Sequence, residues 1–358
     1  MLRYILLRIF YFIPTLIGIS LVVFLLSSNT PGDPIEKFMI EDLDSFESFE
    51  SRQKRRSEIL KDLKLDQPVF YFGLNKNEDG SYPIFPNLKW NGLKNQYHSW
   101  FFGFLKGDFG NSYFDRQPVT NRIWSALQWT FLINILSILL AYLIAIPIGV
   151  FSANKVGSRF DKVTGFILYI IYAIPAFWLA TLLIMFFASS DWLYWFPAGG
   201  VRSLDDGFPF WQRFRDVSWH LVLPIFCITY VALTFIARQV RASMIDNLNQ
   251  DYIKTAYAKG LDKNVVLWKH GFRNSLFPLL TMFANILPAT IGGSVIIEII
   301  FSIPGMGRLA YEGLFQQDWP LVFTITMLGA ILSLIGNLIA DISYTLADPR
   351  VSFSKRVN

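Results

Sequence analysis

Two carboxylates stand in stretches whose composition should exclude them: Glu298 within GGSVIIEIIFSIPGMGRL and Asp341 within GNLIADISYTLADPRV. An ionisable group in a membrane-spanning stretch is a candidate proton relay, gate or charged fastener, because an unmatched charge in hydrocarbon is expensive. Both fall at the edges of their apolar stretches, where ionisation is cheap, which favours a structural or gating partner over a relay. Asn134, Asn285 and Asn337 are similarly placed, and interhelical hydrogen bonding is expected of them ahead of substrate contact. His98, His220 and His270 fall in different compartments. Cys227 is the one cysteine and lies in an apolar run, so neither a metal site nor a disulfide within the chain is expected. No G-x-x-x-x-G-K-[ST] loop occurs and no Ser/His/Asp grouping suggests itself. No cofactor is therefore expected, and if ATP is used another chain must bind it.

A second kind of chemistry, docking, is written in DYIKTAYAKGLDKNVVLWKHGFRNSLFP, residues 251–278. The pattern predicts a helix from Asp251 to Lys259, with Asp251 at its positive end, Thr255, Ala256 and Ala258 as small surface residues, and Gly260 as its stop. A further short helix is expected from Lys263 to about Phe272. A short helix with an alanine face suits insertion into a groove on a partner. The plain alternative is a basic interfacial segment held to anionic lipid by Lys254, Lys259, Lys263, Lys269 and Arg273.

The elements that must position these groups are membrane helices. With 53% hydrophobic and 16% charged residues the chain is too apolar for an ordinary soluble domain. Six apolar stretches, 5–27, 129–152, 163–188, 219–237, 276–301 and 321–347, approach or exceed the roughly twenty residues that cross a bilayer. Pro14, Pro147, Pro175, Pro224 and Pro288 predict kinks within them. The first stretch is too long for a signal-peptide core and no small-residue cleavage site follows, so an uncleaved anchor is expected. Lys and Arg gather at the start, in 153–162, in 238–275 and in the tail. The two short loops on the other side hold only Arg202, Arg213, Arg215 and Arg308, which places both termini in the cytoplasm. The net charge of +5 is thus sorted by side and makes no nucleic-acid groove. The expected organisation is a first helix (1–28), an external cap (29–128), a five-helix core (129–350) carrying the cytoplasmic loop 240–275, and a tail (351–358). The aromatics between Trp192 and Trp211 read first as an interfacial belt.

KTAYAKG at 254–260 resembles the EAA loop of ABC importer permeases. The wider run DYIKTAYAKGL…HGFRNSLFP, with GGSVIIEIIFSIPGMGRL, DISYTLADPRV, LDQP and FLKGDFGNS, resembles the permeases of dipeptide, oligopeptide and nickel importers, in particular the first of their two permease subunits. The resemblance implies an all-α polytopic fold of the type I importer kind. It also implies a homologous second permease subunit, two cytoplasmic ATP-binding subunits, an extracytoplasmic substrate-binding protein, and a place in the bacterial inner membrane. Docking on the ATPases would fall to Asp251, Lys254, Thr255, Ala256, Ala258, Lys259, Gly260 and Leu261. Lys254 stands where the motif has glutamate, and residues about 71–98 read as an insertion. A proton-coupled secondary transporter using Glu298 and Asp341, and a membrane assembly protein without transport, are the alternatives.

Overall fold

The computed structural model of the chain describes residues 2–28, 49–74, 88–276, 279 and 292–347. Among these, four helices are long and apolar enough to cross a membrane: α1 (Leu2–Ser28), α4 (Val119–Asn154), α7 (Phe210–Leu248) and α11 (Trp319–Ala347). The stretch expected as one span at 163–188 is instead two helices, α5 (Arg159–Ala173) and α6 (Ala176–Phe187), bent by 88°. Pro175 is the cause: it pushes the residue before it out of the helical region, and Ile174 sits at φ −82°, ψ 120°. Most of the fifth stretch, 276–301, lies outside the described residues, as do Asn285 and the tail; its described end is α9 (Val295–Ile300).

The chain divides into two compact units. One holds Met1–Phe10, Trp124–Leu309 and Gly329–Asn358. Its axis is the pair α4 and α7. At Gly149 a Cβ would stand 2.6 Å from the Val240 Cβ and 2.8 Å from the Ala237 carbonyl oxygen, so glycine is required for the two helices to meet. Higher up the pair, the Thr229 hydroxyl donates to the Ser137 carbonyl (3.2 Å) and the Ser137 hydroxyl to that of Ile225 (3.4 Å). Both apolar clusters of the unit draw on this pair. One gathers Ala141, Ala145 and Val150 with Ala237, Val240 and Met244. The other gathers Ile133 with Leu221, Cys227, Ile297 and Phe301.

The second unit holds Tyr11–Ile123 and Ala310–Leu328. The described part of the apparent insertion supplies a short antiparallel hairpin, β1 (Phe72–Leu74) with β2 (Leu88–Trp90), pairing Phe72 with Trp90. Helix α2 (Phe49–Asp62) carries five basic and three acidic residues, and α3 (Gln96–Leu105) is capped by Asn95, whose side chain accepts from the His98 amide. The core is aromatic: Phe24, Tyr97 and Phe323 are buried, with Phe24 5.2 Å from Phe323 and 5.4 Å from Tyr97. Beside it Asp318, fully buried, accepts from the Ser112 hydroxyl (2.5 Å), the Tyr113 amide (2.9 Å) and the Arg122 guanidinium (3.0 Å). Burial pushes the Asp318 carboxyl up, while the hydrogen bonds from Ser112 and Tyr113 and the Arg122 charge pull it down. The Tyr113 phenol is raised by burial first and by the Asp318 charge second.

Removing the carboxylate leaves Arg122 nearly enclosed without its closest charged partner. Asp318→Ala is expected to cost about 3–5 kcal/mol, read as a lowered melting temperature of the detergent-solubilised protein, with Asp318→Asn losing less. Gly149→Ala, which forces α4 and α7 apart, is expected to cost about 1–3 kcal/mol. Gly165→Ala, inside α5 with open space around it, is expected to raise the melting temperature slightly.

Candidate functional site

The segment expected to dock begins where α7 ends. Gln250 adopts an extended conformation (φ −76°, ψ 152°) and the chain turns into α8 (Asp251–Ala258). This helix is two-sided. Ile253 and Ala256, three residues apart, are buried with Val266, and Leu248 at the end of α7 packs against them. At its end the Leu261 amide donates to the Ala256 carbonyl (3.4 Å) and the Gly260 amide to that of Tyr257 (2.9 Å). Gly260 sits at φ +76°, the left-handed closure that glycine makes at low cost. Asp262 then accepts from the Asn264 amide and restarts the helix at Lys263, which passes into a π-helix, Val266–Phe272.

The π-helix lies along α7. Gly271 allows it: a Cβ there would meet Leu248 at 3.1 Å and Met244 at 3.3 Å. Ser243 and Ser275 exchange hydrogen bonds, each hydroxyl donating to the other's carbonyl at 3.3 Å. Trp268 meets Phe151 of α4 edge to face. Farther along α7, Arg241 grips buried Asp161 with two bonds of 2.6 and 2.8 Å. Asp161 is itself fixed at the start of α5, where Ser158 accepts from its amide and its carboxylate accepts from the Gly157 amide. Helix α8 therefore rides on a braced platform.

The face of α8 turned to solvent holds Asp251, Tyr252, Lys254, Thr255, Tyr257, Ala258 and Lys259, followed by Gly260 and Leu261. Lys254 pairs with Asp251 at 2.8 Å, an exposed pair that contributes little. Ala256 departs from expectation. It was expected on the docking surface as a small residue, and its place in the i, i+3 row with Ile253 instead turns it inward. The exposed apolar area comes from Tyr252, Tyr257 and Leu261, between 39% and 43% exposed; of these only Leu261 was among the expected docking residues.

Glu298 is 3% exposed, enclosed by protein on all sides. One oxygen accepts from the Thr130 hydroxyl of α4 (2.9 Å) and the Ser294 amide (3.3 Å), the other from the Arg308 amide (2.9 Å). The Thr130 oxygen in turn accepts from the Met306 amide (2.7 Å), so together the two side chains cap α10 (Met306–Phe315). Asp341 pairs with Arg8 at 2.6 Å and accepts from the Tyr4 hydroxyl at 2.8 Å, which ties α11 to α1. Asn134 is buried and Asn337 exposed. The structure also groups three residues that the sequence did not suggest: Ser203 Oγ lies 3.1 Å from His220 Nε2, and His220 Nδ1 lies 2.8 Å from the Asp216 carbonyl oxygen. The Asp216 carboxylate is engaged by the Ser203 and Leu204 amides, so the set fastens a loop to α7. Among the described residues no His, Cys, Asp and Glu cluster is arranged to hold a metal ion.

Residues 145–353 match the family of binding-protein-dependent transport system inner membrane components. The chain belongs to this family. It is 36% identical over 354 residues to the oligopeptide transport system permease protein AppB of Bacillus subtilis, covering 99% of this chain and 100% of that one. It is 31% identical over 371 residues to the dipeptide transport system permease protein DppB of Escherichia coli, covering 99% and 100%. It is 31% identical over 381 residues to the peptidoglycan transport system permease protein YejB of Agrobacterium fabrum, covering 99% of each. A chain of the inward-facing MetNI methionine ABC transporter aligns with a TM-score of 0.47 at 17% identity, over 64% of this chain and 98% of that one.

This ABC permease thus presents a braced helix at 251–258 and, elsewhere in the same unit, a carboxylate held by backbone and hydroxyl donors. The brace itself was partly readable: Ser158 and Asp161 in SRFD mark a helix start, while Arg241, 80 residues on, gives no local sign of its partner. Because Ala256 is buried against Ile253 and Val266, Ala256→Leu overfills the seat. An expected cost of about 1–3 kcal/mol is read as faster amide hydrogen exchange across 251–258, with exchange in the middle of α7 unchanged.

Proposed function

We propose that this permease forms half of a translocation pathway for peptides, paired with a homologous second permease subunit, two cytoplasmic ATPases and an extracytoplasmic binding protein. The observation that carries it is end-to-end similarity to proteins named for oligopeptide and dipeptide transport. The geometry of 251–276 supports the coupling part of the reading. A short helix offering two tyrosines and a leucine, seated rigidly on the end of a membrane-crossing helix, can receive a push from a partner without yielding. In this reading both termini are cytoplasmic, the docking residues are Asp251, Tyr252, Lys254, Thr255, Tyr257, Ala258, Lys259 and Leu261, and Gly260 shapes the end of their helix. Ala256 supports that face from within.

The chain makes and breaks no covalent bond in this scheme. ATP binding draws the two ATPases together and displaces α8. The π-helix and Arg241–Asp161 pass the displacement to α7 and α5, and the pathway shifts between inward and outward access as a change in the populations of two states. Cofactor chemistry resides in the ATP-binding partners. The five exposed basic residues of the segment also meet the anionic headgroups of the inner leaflet.

The test is uptake of labelled di- and oligopeptides into vesicles holding the full purified complex. Uptake is expected with ATP and binding protein, and uptake driven by a proton gradient alone overturns the reading. Tyr257→Ala is expected to lower ATPase association about tenfold, the scale of one truncated interface aromatic, with the melting temperature of the permease unchanged. An unchanged association removes Tyr257 from the docking face.

A further inference from the structure

Glu298 is enclosed more closely than a fastening role along one helix requires. Its carboxylate is walled by glycine on three sides. A Cβ at Gly305 would stand 2.5 Å from the Glu298 Cδ and 2.6 Å from the Thr130 Oγ1. One at Gly293, where φ is +60°, would stand 2.7 Å from Oε1, and one at Gly307 would stand 3.1 Å from Oε2. The donors that reach into this space come from three separate segments: Thr130 in α4, Ser294 ahead of α9, and Arg308 in the first turn of α10. A buried carboxylate satisfied by fixed donors is costly to pull apart, because each segment that leaves strands part of the charge. The neighbouring loop joins the same assembly, since the Gly200 amide donates to the Phe301 carbonyl at 2.8 Å and Gly199 packs on that oxygen.

We propose that Glu298 is a positioning residue of the transport cycle, joining the 293–308 loop to α4 at Thr130 so that both move together. This rests on the transport reading above. Displacement of α8 enters α7 through the π-helix, and α7 contacts α4 at Gly149. Near its other end α7 shares a buried cluster with Ile297, Phe301 and Ile303. Only with Thr130, Ser294 and Arg308 all held by one carboxylate does the loop on the far side follow both helices at once. Loosening that grip leaves ATP hydrolysis intact and lets the loop lag, so that hydrolysis proceeds without passage of solute.

The readout is the number of peptides taken up per ATP hydrolysed by reconstituted complex, a ratio that is insensitive to how much complex assembles. Glu298→Gln, which keeps the shape and replaces one acceptor oxygen with a donor, is expected to lower the ratio about tenfold, the scale of one charge-assisted hydrogen bond. Thr130→Val is expected to do the same, and Thr130→Ser, which restores the hydroxyl, to return the ratio to the unsubstituted value. If Glu298→Gln does not assemble, the Thr130 pair decides alone. A ratio unchanged in Glu298→Gln and Thr130→Val, including the case where uptake and hydrolysis fall in parallel, overturns the inference. Absence of ATP-driven uptake in the unsubstituted complex overturns the transport reading, and this inference with it.

Discussion

The contact of α4 with α7 at Gly149 is the constraint on which the rest of the first unit depends. Neither helix has a hydrophobic incentive to leave lipid for the other, so association has to come from close packing and from hydrogen bonds between helices. Both are present. The small residues Ala141, Ala145 and Gly149 let the backbones approach, and Ser137 and Thr229 bridge them. The two ends of the pair then acquire different duties. From Thr130 to Gly149 the helix rises about 28 Å, close to the hydrocarbon thickness of a bilayer. Thr130 at one end grips the Glu298 loop, while beyond Gly149 Phe151 receives the π-helix of the docking segment.

What the sequence disclosed follows from the range over which each physical signal acts. Hydrophobic runs report burial in lipid directly, so four stretches coincide with long helices, and the short helix at 251–258 announced itself by composition and by a glycine stop. The 88° bend at Ile174 was encoded by Pro175, yet an apolar run reads the same whether straight or folded, and the break within the stretch was not expected from its hydrophobicity. The burial of Ala256 was encoded by its three-residue spacing from Ile253, but an alanine suits a surface groove and a tight seat equally well. Tyr252 and Tyr257 passed unnoticed because membrane proteins are rich in aromatics and only position distinguishes these two.

Partners distant in the chain were out of reach for a different reason. Glu298 and Thr130 are 168 residues apart, and Arg8 and Asp341 are joined only through the fold. Periodicity and capping describe a few turns of backbone and carry no information on such pairs. The placement of Glu298 at the edge of a span suggested a structural or gating partner, and the glycines at 293, 305 and 307 bear on how that partner is met. Three glycines around one acid leave room for a carboxylate to be met by backbone amides, an arrangement that only the folded chain reveals.

The charges that are buried share a physical solution, and it bears on how the permease works. Asp161 is met by the Gly157 amide at the start of α5 as well as by Arg241, Glu298 by the amides of Ser294 and Arg308, and Asp318 by the amide of Tyr113 as well as by Arg122. Backbone amides are fixed dipoles, and they hold an acceptor oxygen in one place. A relay needs the opposite, a carboxyl whose proton has somewhere to go and whose surroundings reorganise when it leaves. These carboxylates are built to fasten. In the proposed transport scheme this is a division of labour: the permease contributes stiffness and shape, and the free energy for changing access enters through the exposed face of 251–261.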